Sequence, residues 1–409
     1  MSSNGVLIVG ACQAGLQLAV SLRELGHDGV VTLVGAEPHA PYQRPPLSKA
    51  YLSGATGMEA LTLRSPEFYV DQRIDLVCGE RVAAVDLDRG EARTDSGRTL
   101  GFDRLALTTG ARVRRLTVPG AELRGVCYLR DVQDADRLAR ALPDARSVVV
   151  IGGGFIGLEA AAVAGGMGKK VTIVETAARL VSRAVAPVVS DFYLRAHRRR
   201  GAEVRLEAVV TALEGRDGAV AGVRLSDGDV LPADVVLVGI GVEPRVELAQ
   251  QMGLRVQGAV VVDRYARTSD PRVVAAGDVT LLPSPSTADG YVRLESVQNA
   301  VDQAKTAAAT LMGREEPYVA APWFWSEQYD LKLQIAGLSA GFDQVVLRGL
   351  PDTERFSALY YRQGRLLASD SVNRGPDFLA VRRALSAGAT IPPDAAVDES
   401  IPLKTLISA

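Results

Sequence analysis

The sequence predicts an α/β protein with two Rossmann-like nucleotide-binding domains and a C-terminal α+β domain. Two observations carry this prediction. An apolar run, a glycine turn and an apolar-periodic helix occur together twice, in GVLIVGACQAG (5–15) and in SVVVIGGGFIG (147–157). From Pro322 onward the pattern changes to short, hairpin-like runs. A continuous apolar run suits a strand buried on both faces of a parallel sheet. Its recurrence a domain length later implies two folds of the same type.

In chain order, residues 5–9 (GVLIV) read as a strand and 14–25 as a helix whose apolar positions include Leu16, Leu18, Ala19, Leu22 and Leu25. Residues 30–34 (VVTLV) are the next strand, completing a βαβ unit. The segment 40–53 (APYQRPPLSKAYLS) is too proline-rich for a regular interior strand or a long helix. Residues 76–110 read as short strands and turns. The strand–turn–helix–strand series then restarts at Ser147 and ends at Glu175. Further strands are expected at 203–213, 219–225, 234–238 and 273–276, with a helix at 296–312. The C-terminal part reads as strands 323–329, 331–337, 344–348, 355–361 and 365–370, followed by a helix at 376–387. The basic run RAHRRR (195–200) reads as a solvated helix face.

The 409 residues are 47% apolar, enough for several large cores. With 46 basic and 48 acidic side chains, the net charge of -2 carries no general nucleic-acid or membrane-surface signature. The N-terminus lacks a signal-peptide pattern and no apolar run is long enough to span a bilayer, so a cytoplasmic location is expected. Cys12, Cys78 and Cys127 contain no C-x-x-C pair, which excludes a redox dithiol built on a short motif. The three histidines form no zinc pattern, and no metal is expected.

The chemistry is concentrated in the glycine turns. In the second, Gly152 makes the tight turn, Gly154 lets the backbone approach a pyrophosphate and Gly157 lets helix and strand pack closely. The helix N-terminus adds free N–H groups and positive potential. Glu175, ending the next strand, can accept from a ribose 2'-hydroxyl and would repel a 2'-phosphate, which favours NADH over NADPH. The first turn, Gly10 to Gly15, carries Cys12 at the middle position; a small buried role is expected for it. Glu37 is the candidate for the ribose of this first nucleotide. Two dinucleotide sites in one chain point to electron transfer between a bound flavin and a pyridine nucleotide.

Eight segments, in this order and spacing, resemble the FAD-dependent NADH:ferredoxin reductases that serve Rieske dioxygenases and bacterial cytochromes P450. They are PYQRPPLSK (41–49), TTGA (108–111), YLR (128–130), GGGFIGLE (152–159), VGIGVEPR (238–245), AAGDV (275–279), RLESVQNA (293–300) and PWFWSEQYDLKLQIAG (322–337). The resemblance implies a glutathione-reductase-like architecture: an FAD domain at 1–111 and 242–318, an NAD domain at 112–241 and a C-terminal interface domain at 319–409. It implies FAD contacts for Arg44, Lys49, Thr109 and Arg130. It also implies a ribityl contact for Asp278, and an approach of Glu295 and Val297 to the flavin pyrimidine. Val297 stands where relatives often have tryptophan. Phe324 and Trp325 are implied as walls of the flavin chamber. Glu159 is implied beside the nicotinamide, and Gly241 among the NAD contacts. Lys49 and Glu159 are expected to position and tune, not to act as nucleophiles. The implied partner is a small [2Fe-2S] ferredoxin, and through it a terminal oxygenase, with no nucleic acid and no membrane. A rubredoxin or a quinone is the alternative acceptor. A flavin-binding interaction protein resembling apoptosis-inducing factor is the reading from a different class.

Overall fold

The two apolar runs become central strands of two separate parallel sheets. The computed structural model describes residues 5–284, 287 and 289–408, so the first four residues of the expected 1–111 segment lie outside the described part. The chain divides into two units drawn from interleaved segments. One comprises Met1–Gln43, Leu61–Arg112 and Glu243–Phe324; the other comprises Arg44–Ala60, Val113–Val242 and Trp325–Ala409.

The sheet of the first unit runs in the order Val273–Ala275, Arg104–Leu107, Val6–Val9, Val31–Gly35, Ile74–Cys78, with every pairing parallel. The pleat sends alternate residues of Val6–Val9 to opposite faces. Val6 and Ile8 pack with the helix Gln13–Glu24 and with Ala300, Ala304, Ala307 and Ala308 of the helix Val297–Leu311. Leu7 and Val9 pack with Leu105, Leu107, Leu248 and Val260 on the other face. An all-apolar strand is what burial on both faces requires.

In the second unit the parallel sheet has the order Glu203–Arg205, Lys170–Val174, Ser147–Ile151, Val235–Val238, Val126–Cys127. The strand expected at 203–213 is two strands. Glu203–Arg205 joins the parallel sheet, whereas Val210–Arg216 pairs antiparallel with Ala219–Leu225. The cause lies at Glu207, which adopts φ 53, while Ala208 N–H binds the Glu175 carbonyl and turns the chain out of the first sheet.

The C-terminal residues form an antiparallel sheet in the order Trp323–Gln328, Leu331–Gly337, Arg365–Val372, Arg355–Arg362, Gln344–Leu350, covered by the helix Gly375–Ser386. Residues 325–409 cluster with the unit that holds the second glycine turn. So do residues 44–60, read in the sequence as part of the 1–111 segment. Polar tethers explain the latter: Arg44 donates to the Arg130 carbonyl at 2.8 Å, Tyr51 to Asp136 at 2.7 Å, and Lys49 pairs with Glu159 at 2.6 Å.

The basic run is not simply a solvated face. His197 is fully buried, and Arg199 and Arg200 both bind Glu354. Hydrogen bonding from Arg200 outweighs desolvation and holds the Glu354 carboxyl down at about 2. Among the described residues, no helix is long and apolar enough to cross a membrane.

Candidate functional site

The two glycine turns share one local design. Gly10 has φ 121, and a Cβ there would lie 2.2 Å from the Thr108 carbonyl oxygen; Gly152 has φ 110, and its Cβ would lie 2.4 Å from that of Gly239. A Cβ on Gly15 would meet the Gly10 oxygen at 2.2 Å, and one on Gly157 the Gly152 oxygen at 2.4 Å. The outer glycines are therefore demanded by the chain itself. Gly154 differs: it has ordinary backbone angles, and a Cβ on it would meet no protein atom within 4 Å. That opening lies at the N-terminus of the helix Phe155–Gly166, which has neither a side-chain cap nor an acidic first turn. A helix N-terminus beside a space left open fits a pyrophosphate.

In the first turn Cys12 is extended at φ -138, and its Sγ contacts the Thr108 carbonyl at 3.2 Å. The side chain is turned toward the backbone of Thr108, in the segment packed against the loop, and is half-buried. The helix Gln13–Glu24 also lacks a side-chain cap and an acidic first turn. This end therefore fits an anionic cofactor as well.

The predicted acids lie where the strands deliver them. Glu175 follows Lys170–Val174, and its carboxylate accepts from Gly153 N–H at 2.6 Å and Ala177 N–H at 2.7 Å. It clamps the glycine turn. Glu37 follows Val31–Gly35 and accepts from the Tyr42 hydroxyl. Elsewhere in the first unit, Gly277 sets φ 84 within AAGD, with Gln303 Oε1 holding its N–H at 2.8 Å, and Asp278 follows it. Val297 opens a helix capped by Ser296. Thr109 donates to the Arg245 carbonyl at 2.9 Å. Thr108, which the sequence reading passed over, is the residue packed against the loop: its hydroxyl donates to the Gly10 carbonyl at 2.9 Å.

In the second unit Arg44 and Arg130 are joined through the Arg130 carbonyl, and Arg130 N–H binds Asp134. Trp325 is half-buried. Gly241 adopts φ 101 beside the Arg183 guanidinium, and its carbonyl accepts from Arg114 N–H at 2.9 Å.

Glu159 is not a solvated helix position. It is 4% exposed in the helix that begins at the second glycine turn. Its Oε2 accepts from Lys49 at 2.6 Å and from Ser48 at 2.5 Å, and its Oε1 from Ser326 at 2.6 Å. A buried carboxylate survives in a low-dielectric interior when paired and fully hydrogen-bonded, as here. Lys49 also donates to the Pro45 carbonyl at 3.0 Å, so its ammonium is held in place. The structure thus joins two residues that the sequence resemblance assigned to different cofactors, and it adds Ser48 and Ser326. The signal for Ser326 was its place, with Gln328, on one face of an aromatic strand; alternation predicts that two such polar side chains share an environment.

The three cysteines are free. Cys78 contacts the His39 carbonyl, and burial raises its thiol pKa. Cys127 is buried, which pushes its thiol up to about 11. Raised thiols are poor thiolate nucleophiles.

A family model described as pyridine nucleotide-disulphide oxidoreductase matches residues 4–304, and one described as reductase C-terminal matches residues 323–407. Rhodocoxin reductase of Rhodococcus erythropolis is 47% identical over 403 residues, covering 98% of this chain and 94% of that protein. Among solved structures, the ferredoxin reductase for the CYP199A2 system from Rhodopseudomonas palustris matches with a TM-score of 0.95 at 43% identity, covering 99% of this chain and 100% of that one. The covalent putidaredoxin reductase–putidaredoxin complex matches with a TM-score of 0.95 at 41% identity, covering 99% and 98%.

Proposed function

The chain belongs to the FAD-dependent NADH:ferredoxin reductases of oxygenase systems, within the pyridine nucleotide-disulphide oxidoreductase family, and from that premise we propose how its residues divide the work. FAD, when bound, accepts electrons as a hydride from NADH and returns them singly to an iron–sulfur protein. The chain's task is to bind, orient and shield. The architecture is proposed to be glutathione-reductase-like, with an FAD domain at 1–111 and 242–318, an NAD domain at 112–241 and a C-terminal interface domain at 319–409.

For FAD we assign Gly10, Gly15 and Glu37 to the adenosine pyrophosphate and ribose, Asp278 to the ribityl chain, and Arg44, Lys49, Thr109, Arg130, Val297 and Trp325 to the remaining contacts. For NADH we assign Gly152, Gly154 and Gly157 to the pyrophosphate, Glu175 to the ribose, and Gly241 and Glu159 to the nicotinamide half. Lys49 and Glu159 fix charge and orientation there. The acceptor is proposed to be a [2Fe-2S] ferredoxin in the cytoplasm, which in turn feeds a terminal oxygenase.

One observation carries this reading above a disulfide reductase of the same broad family. Two glycine-turn nucleotide sites stand beside three free cysteines, of which Cys78 and Cys127 have raised thiol pKa values. Thiol exchange needs a reactive dithiol, and neither the spacing of the cysteines nor the raised thiols of Cys78 and Cys127 supports one. The test is NADH-driven cytochrome c reduction with and without a small [2Fe-2S] ferredoxin, run beside a disulfide-substrate assay and a rubredoxin assay. Ferredoxin-dependent turnover is expected, also in a chain with all three cysteines replaced. Disulfide turnover that vanishes in that chain would reject the assignment, and faster turnover with rubredoxin would reassign the acceptor.

A further inference from the structure

Beyond the Lys49–Glu159 pair, a run of buried polar side chains continues from the carboxylate into the C-terminal sheet. Ser326, Gln328 and His197 are each at most 1% exposed. Ser326 Oγ lies 2.6 Å from Glu159 Oε1, Gln328 Nε2 lies 3.2 Å from Ser326 Oγ, and His197 Nε2 lies 2.8 Å from Gln328 Oε1. His197 Nδ1 lies 3.5 Å from the Tyr329 hydroxyl. The run draws on three separate elements: the helix Phe155–Gly166, the strand Trp323–Gln328 and the helix Pro187–Arg199.

The directions of these hydrogen bonds follow from its end. A carboxylate can only accept, so Ser326 donates to Glu159. The Ser326 oxygen then accepts from the Gln328 amide, whose carbonyl is thereby turned toward His197. His197 must carry its proton on Nε2, which leaves Nδ1 to accept from Tyr329. Every donor in the run points toward Glu159. The other groups facing it are few. Lys49 and Ser48 bind the second carboxylate oxygen, the Glu159 charge helps to raise the pKa of the buried Tyr193 phenol, and Arg200 lies over the Tyr329 ring at 5.2 Å. Burial lowers the His197 pKa, which keeps the imidazole neutral, as the Nε2–H tautomer requires.

We propose that Ser326 is a positioning residue for hydride transfer: together with Ser48 it fixes the Glu159 carboxylate, and through Gln328 it ties that carboxylate to the tautomer of His197. The proposal rests on Glu159 facing the nicotinamide, as assigned above. A carboxylate held by three donors from two separate segments, Ser48 and Lys49 on one oxygen and Ser326 on the other, cannot turn about its terminal bond when NADH enters. The C-terminal sheet thereby contributes to nicotinamide alignment through a side chain that need not touch the coenzyme.

The test has two readouts on the FAD-loaded protein. The chain has three histidines, so imidazole 15N spectra of histidine-labelled protein, assigned with His197→Gln, isolate His197. The Nε2–H tautomer is expected, and both Ser326→Ala and Glu159→Gln should shift the His197 signals and leave those of His27 and His39 in place. In single-turnover mixing with NADH, Ser326→Ala should slow flavin reduction about tenfold, the effect of one lost charge-assisted hydrogen bond. NADH Kd and FAD content should stay near wild type, while Tm falls by a few degrees because a buried hydrogen bond is lost. Ser326→Thr should restore the rate, and Ser326→Cys, a weaker donor, should fall between. A His197 signal indifferent to both substitutions, or an unchanged rate in Ser326→Ala beside a slow Glu159→Gln, would overturn the proposal. An unchanged rate in Glu159→Gln would instead reject the assignment of Glu159 to the nicotinamide.

Discussion

The two glycine turns make the same bend for the same reason and differ by one small side chain. In both, the first glycine has a positive φ that a side chain resists, and in both the third glycine is pressed against the carbonyl of the first. At the middle position one turn has Gly154, open to solvent, and the other has Cys12, its sulfur folded back on the Thr108 carbonyl. The contrast separates two demands. Outer glycines answer to the chain's own backbone, whereas nothing in the chain demands the middle glycine, and there the proposed coenzyme would set the demand. The ligand's demand can be met by a small side chain that points elsewhere.

The strongest way to break this comparison is at the outer positions. Gly10→Ala and Gly152→Ala should each cost on the order of 3 kcal/mol or more, because the new Cβ meets backbone in a strained conformation. Tm and flavin content read the first: FAD should be lost. Gly152→Ala should keep FAD, still reducible by dithionite, while NADH-driven reduction collapses. Equal effects of both on FAD would show that the turns do not serve separate coenzymes.

A smaller effect is expected at Glu175, which ties down the second turn through Gly153 and Ala177. Glu175→Gln should lower stability by about 1–2 kcal/mol, raise KM for NADH about tenfold and narrow the preference for NADH over NADPH. The kcat/KM ratio of the two coenzymes at one ionic strength measures it. A wild-type protein that used both equally would defeat the argument.

The middle positions should give the sharpest contrast at the least cost. Gly154→Ala should leave stability within about 1 kcal/mol of wild type, since its Cβ meets nothing in the protein, yet weaken NADH several-fold. Cys12→Gly and Cys12→Ser should leave flavin content and the reduction rate within about twofold. Cys12→Leu should shed FAD. Stopped-flow reduction of the FAD-loaded variants separates chemistry from cofactor retention.

What the sequence made legible follows the same division between local and distant causes. Strands such as Val6–Val9 and Ser147–Ile151, and both glycine turns, were readable because their signals lie within one short window. The break at Glu207 was not, because the apolar pattern runs on through a residue whose positive φ only the structure reveals. The pairing of Lys49 with Glu159, and the arrival of Ser48 and Ser326 on the same carboxylate, depend on segments far apart in the chain. Each residue looked ordinary alone. His197 reads as part of a solvated basic face because the other members of RAHRRR include four arginines; its buried partner, Gln328, lies more than a hundred residues away.

The interleaving of segments also orders events during synthesis. The second unit's parallel sheet draws all its strands from Val126–Val238, so it can pair while the remainder is still being made. The first unit cannot. Its strand Arg104–Leu107 waits for Val273–Ala275, and its helix Gln13–Glu24 waits for Val297–Leu311. At usual elongation rates that is a delay of roughly ten to thirty seconds, during which one edge of a parallel sheet stays unpaired. Ribosome-bound chains should therefore acquire their flavin late, after the residue that closes that sheet has emerged.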